Sequence, residues 1–133
     1  MKNLFLFFLL SLCFFGISST AFSQVEARVH KVFDIKNATT VNLDFPDYHH
    51  EVNIKESYST VIIVEMIITL DKGSPTQIES FINQGRYEVK YSLENGVITF
   101  SRKHPENTPI VIDGEEVNEY LIYNVSVPEY LEY

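Results

Sequence analysis

The sequence predicts a mainly β domain, built as a small antiparallel β-sandwich or a short β-solenoid or β-roll, with one short helix at about residues 75–84. Three observations predict it. Apolar and polar residues alternate in Val41-Asn42-Leu43-Asp44-Phe45, in Glu51-Val52-Asn53-Ile54-Lys55 and from Tyr87 to Leu93, the period-two mark of half-buried strands. Asn95-Gly96 and Asp113-Gly114 stand between such runs and favour tight hairpins. A single segment, Ser74 to Gly85, switches to helical spacing.

Taken in order, the chain opens with a leader. Lys2 gives a short basic start, Leu4 to Ile17 is almost wholly apolar, and Ala21-Phe22-Ser23 sets small residues at −3 and −1 of a cut before Gln24. This is the three-part pattern of a secretory signal peptide, and it is too short for the roughly 20 residues of a membrane-spanning helix. Residues 1–23 are therefore read as signal peptide and 24–133 as one β-rich domain without a transmembrane segment. Export to the periplasm, the cell surface or the medium follows. The sole cysteine, Cys13, lies inside the leader behind Leu12. Lipoprotein cleavage wants a small residue there, so lipidation is disfavoured, and the mature chain carries no thiol for a disulfide, a thiolate metal site or a nucleophile.

In the mature part, Val29–Ile35 and Thr39–Phe45 read as strands around a turn at Lys36-Asn37-Ala38. Pro46-Asp47 ends the second, and Glu51–Lys55 resumes with Val52 and Ile54 inward. Val61–Leu70 is apolar at every even position and largely so at the odd ones, as suits a mid-sheet strand at least partly covered on both faces. Ser74, Pro75 and Gln77 form a capping box at a helix start. Ile78, Phe81 and Ile82 then share one face, and Gly85 closes the end. Closing the next hairpin at Asn95-Gly96 sets Leu93 opposite Ile98 and Tyr91 opposite Phe100 on one apolar face. A second hairpin turns at Asp113-Gly114, and Tyr120–Val127 forms a last strand stopped by Pro128. Val41-Asn42-Leu43 and Val52-Asn53-Ile54 recur 11 residues apart, with a like texture at Tyr123-Asn124-Val125, a spacing that fits a meander or solenoid rungs.

Function classes narrow by composition. The chain has 10 basic and 18 acidic residues, and loss of Lys2 with the leader leaves the mature form near −9. Such a surface repels phosphate backbones, so no nucleic-acid partner is expected. An outer-membrane barrel would need at least eight strands of about 9–11 residues, more than this domain supplies. Asp47-Tyr48-His49-His50-Glu51 has metal-ligand character, but adjacent histidines on extended backbone point to opposite faces. Asp113-Gly114-Glu115-Glu116 with Glu119 offers hard oxygens but lacks the spacing of a calcium loop. Neither is assigned a metal, and no nucleophile elbow, metalloprotease helix or phosphate loop occurs. The chain is read as no enzyme and as needing no cofactor. Tyrosines are the more suggestive feature: Tyr120, Tyr123, Tyr130 and Tyr133 crowd the C-terminal end, and tyrosine is enriched at interfaces. They mark an expected interaction edge, with a protein, a surface polymer or a second copy adding a strand to it.

The progression from Phe33-Asp34-Ile35 through Val41-Asn42-Leu43 and Glu51-Val52-Asn53-Ile54 to Tyr123-Asn124-Val125-Ser126-Val127-Pro128 resembles a bacterial group. Over about residues 29–128 it is similar to the exported auto-transporter adhesin, head GIN type domains common in Bacteroidetes. The resemblance implies a β-solenoid or β-roll and an adhesin-like role, and it carries over no catalytic residue. The Ser74–Gly85 helix, and an end at Tyr133 where such domains continue with further rungs, depart from that pattern. The expectation is an exported, non-enzymatic binding or adhesion domain. The alternatives are a periplasmic structural or envelope-stress accessory domain and, more remotely, a metal-dependent enzyme.

Overall fold

A computed structural model of the protein describes residues 23–45, 50–104 and 108–133. All of the expected leader but Ser23 lies outside the described residues, as do Asp47, Tyr48 and His49 of the histidine cluster. Nine strands and one helix follow in the order β1 (Val25–Asp34), β2 (Thr40–Asp44), β3 (His50–Ser57), β4 (Val61–Leu70), α1 (Pro75–Asn83), β5 (Val89–Glu94), β6 (Val97–Arg102), β7 (Ile110–Ile112), β8 (Glu115–Val117) and β9 (Glu119–Pro128).

Two sheets form the layers of a small β-sandwich. The larger runs β1-β4-β9-β3, the smaller β2-β6-β5, and β7-β8 is a separate hairpin. The sequence expectation of a mainly β fold with one short helix is met, but the sheets are mixed. Strands β3 and β9 run parallel, as do β2 and β6, while β1·β4, β4·β9 and β5·β6 are antiparallel. The antiparallel pairs differ from solenoid rungs, whose neighbours all run the same way. The 11-residue echo does not stack either, because β2 and β3 fall in different sheets. Its third member does: Asn53 lies in register with Asn124.

The core lies between the layers. Ile62, Val64, Met66, Ile68 and Leu70 of β4 are all but fully buried, as are Tyr123, Val125 and Val127 of β9 and Ile98 and Phe100 of β6. Each such side chain contributes about 1.5–3 kcal/mol by leaving water. Rings join the layers: Phe33 meets Phe100 edge-on at 4.8 Å and Tyr91 at 5.3 Å, and Phe45 stacks on Tyr123 at 4.1 Å. Ile54, expected inward, is 42% exposed because β3 is a sheet edge, while Val52 does pack against the core.

Local signals act where the sequence sets them. Ser74 Oγ accepts from Gln77 N at 3.3 Å, and Gln77 Oε1 accepts from Ser74 N at 2.9 Å, a complete capping box. At the other end Gly85 has φ +80°, Arg86 N donates to Phe81 O and Gly85 N to Ile82 O, the paired bonds of a Schellman stop. Asn95 and Gly96 both have positive φ, and Tyr91↔Phe100 and Leu93↔Ile98 are partners as the turn requires. Tyr91 is 40% exposed on that face because β5, too, is an edge strand. Beyond β9 the chain turns back: Val41 N donates to Glu132 O and Glu132 N to Thr39 O, which covers the outer edge of β2.

Candidate functional site

Strand β4 is central, as its composition predicts, but its two faces differ. The even face is the core; the odd residues Val61, Ile63, Glu65, Ile67 and Thr69 are half-buried, on the side facing away from the smaller sheet. Helix α1 sits on the inner side, where Val25, beside Gly73, and Val29, beside Ile82, face it. The outer face of β1-β4-β9-β3 thus carries no further layer among the described residues.

Register orders this outer face into rows. His30, Glu65, Asn124 and Asn53 are successive cross-strand partners, one per strand. Asn53 Nδ2 donates to Asn124 Oδ1 at 3.2 Å and to Glu51 Oε1 at 3.0 Å, and Asn124 Nδ2 donates to Glu65 Oε2 at 2.8 Å. Glu65 Oε1 in turn lies 3.7 Å from both Arg28 Nη1 and His30 Nε2. A polar belt therefore crosses the whole sheet. On one side of it Ile67 and Ile122 pair, and on the other stand Ile63, Ser126 and Lys55, with Val32 64% exposed. A shallow hollow of about 460 Å³ opens over His30, Ile63, Glu65, Asn124, Asn53 and Lys55. Apolar patches divided by carboxamides already held in place suit recognition, because little side-chain freedom is lost on binding.

A second polar cluster lies inside the sandwich end. Arg86 follows the helix stop, and its Nε donates to Glu119 Oε2 at 2.9 Å and its Nη2 to Thr108 O at 2.7 Å. Tyr87 OH donates to the same Glu119 Oε2 at 2.5 Å. Burial works to lower the pKa of Arg86, but the hydrogen bond and charge of Glu119, with Tyr87, outweigh it and hold the value above the ordinary one. Burial, then the hydrogen bond and charge of Glu119, raise Tyr87 far above its usual range, against a smaller opposing effect of Arg86. Arg102, 4% exposed, donates from Nη2 to Arg86 O at 3.2 Å.

The tyrosines expected to mark an edge are scattered. Strand β9 is not an edge: it is hydrogen-bonded to β4 on one side and β3 on the other. Tyr123 is fully buried against Phe45, so it supplies core and not contact surface, whereas Tyr120, Tyr130 and Tyr133 are 46%, 62% and 55% exposed. Tyr120 is on the outer face, and Tyr133 donates to Glu56 Oε1 at 3.2 Å. The open edges of the two layers among the described residues are β1, β3 and β5, and charges along them, Lys31, Lys55, Glu56 and Lys90 among others, restrain unplanned pairing. The acidic hairpin is also engaged: Glu115 pairs with Lys72, and Glu119 turns inward to Arg86. Among the described residues no group of three or more His, Cys, Asp or Glu is placed to hold a metal, and no helix is long and apolar enough to cross a membrane. Sequence reasoning missed the belt because its four members come from four strands. The matching Val52-Asn53-Ile54 and Tyr123-Asn124-Val125 triplets were the one available signal.

No family model and no curated protein matches the chain. A crystal structure of a "putative cell adhesion protein" from Clostridium sporogenes is similar over 80% of this chain and 44% of that one, at 14% identity and a TM-score of 0.45. The chain thus spans less than half of that protein's length.

Proposed function

We propose that this chain is an exported, non-enzymatic binding domain of the cell envelope that holds a protein or surface polymer on the outer face of its four-stranded sheet. The observation that carries this reading is the uncovered face itself, with the Asn53–Asn124–Glu65 belt set between Ile67 with Ile122 and Ile63. Its carboxylate and carboxamides bond to one another, which fixes their donors and acceptors. The leader supports export, and the head GIN resemblance supports an adhesin-like role. Attachment by strand addition, first expected at β9, is reassigned to the open edges β1, β3 and β5 as a secondary route, including self-association.

The test pairs location with binding. Protease shaving of intact host cells reports whether a C-terminal tag is outside, and purified protein is screened against envelope fractions and isolated surface polymers. Ile122→Lys and Asn124→Ala should reduce capture by roughly tenfold or more each, as central contacts do, with the melting transition still cooperative. Capture unchanged by both variants in folded protein overturns the face assignment.

A further inference from the structure

We propose that Arg102 is the anchor of a binding site for a carboxylate ligand, in the cavity where β6 and β9 meet the β7–β8 hairpin. Arg102 ends the inward face of β6, after Ile98 and Phe100, and it is the one charged side chain among the described residues buried to core level, at 4% exposure. Its hydrogen bond is from Nη2 to Arg86 O; its buried Nε has no partner, and it makes no ion pair among the described residues. Lysine in such a place could shed its proton, but a guanidinium stays charged. A buried charge is costly when unpaired, and among the described residues none pairs with it, so the site gains from an anion.

The surroundings define which anion. Arg86, the neighbouring guanidinium, is already matched by Glu119 and Thr108 O. Glu119 is thus committed to Arg86, and among the described residues no carboxylate bonds to Arg102. Glu116 also lines the cavity and disfavours a doubly charged guest such as sulfate. The cavity is about 70 Å³, and Arg86, Arg102 and Thr108 also line a neighbouring hollow of about 280 Å³ with Phe81, Gln84 and His104. A carboxylate is the matching guest: it is a monoanion whose oxygens accept charge-assisted hydrogen bonds from a guanidinium. The neighbouring hollow leaves room for what the carboxylate is attached to. This site lies on the inner side of the large sheet, away from the belt, and stands or falls independently of it.

The test follows the Arg102 Nε–Hε resonance of the purified protein by NMR, at constant ionic strength, with acetate, glucuronate, sulfate and chloride as probes. Acetate and glucuronate should move it saturably and raise the melting temperature, and sulfate and chloride should bind at least roughly tenfold more weakly. Tighter glucuronate than acetate binding points to an acidic sugar, and the reverse to a free small acid. Arg102→Met should abolish the carboxylate-dependent stabilisation without lowering the melting temperature in carboxylate-free buffer. Arg102→Lys, which keeps charge but loses the fork, should weaken binding at least roughly tenfold. No saturable shift at Arg102 in the unmodified protein overturns the proposal. An equal carboxylate response in Arg102→Met, or sulfate binding tighter than acetate, overturns it as well.

Discussion

Replacing Glu119 by alanine removes the acceptor shared by Arg86 and Tyr87. Arg86 keeps Thr108 O, but its charge, with a side chain 18% exposed, loses the partner that balances it, and the Tyr87 hydroxyl loses its acceptor. Breaking a fully buried pair costs about 3–5 kcal/mol; the residual exposure of 18% and 11% argues for the lower end, about 3 kcal/mol in all. A domain of about 110 residues unfolds with roughly 2.1 cal/mol/K per residue, so each kcal/mol moves the midpoint by about 4 °C. The expected loss is about 12 °C. Urea titration of wild type, Glu119→Ala, Arg86→Ala and the double variant isolates the pair, because the Thr108 bond cancels around the cycle. A coupling near 2 kcal/mol is expected, within the range for contacting residues. A value under about 0.5 kcal/mol, the scatter of independent sites, would refute the claim that Glu119 holds Arg86 in place.

Three further expectations follow from the same structure. An unfolded tyrosine ionises near 10.0, whereas Tyr87 in the fold is held neutral above that; its contribution is complete below pH 10 and declines as pH rises further, and Tyr87→Phe should flatten the alkaline limb of a stability-against-pH curve. Gly96→Ala and Gly114→Ala each force a Cβ onto φ near +79°, and neither Cβ meets an atom closer than 3.4 Å. Both should therefore lose only the left-handed strain, about 1–2 kcal/mol, by thermal melting, and a much larger loss at Gly96 would refute the claim that Thr39 leaves room for the added Cβ. Deleting residues 130–133 removes buried Leu131 and the Glu132 bonds to β2. It should cost about 2–4 kcal/mol in urea titration and promote self-association through the bared edge, seen by sedimentation; a monomer of unchanged stability would contradict that role.

Local chemistry made much of the fold legible. The Ser74–Gln77 box, the Gly85 stop and the Asn95-Gly96 register act among residues a few positions apart, so the helix and the β5–β6 hairpin could be read directly. The candidate surfaces could not. His30, Glu65, Asn124 and Asn53 meet because β9 inserts between β4 and β3, and Arg86 finds Glu119 across 33 positions. Period-two alternation says which residues share a face of one strand, but not which strand lies beside it.

By itself, then, the sequence determined strand content, the helix and its caps, the tight turns and the apolar face of β4, each set by backbone sterics or side-chain period. Tertiary structure alone decided that the last strand is central and not an edge, that Tyr123 is core, and that an asparagine belt crosses the outer face. It also decided that Arg102 is buried without an ion-pair partner among the described residues. The physical reason is the parallel pairing of β3 with β9 and β2 with β6. Parallel neighbours need long crossovers, so their register is fixed by packing of the whole core and leaves no mark in any short stretch of chain.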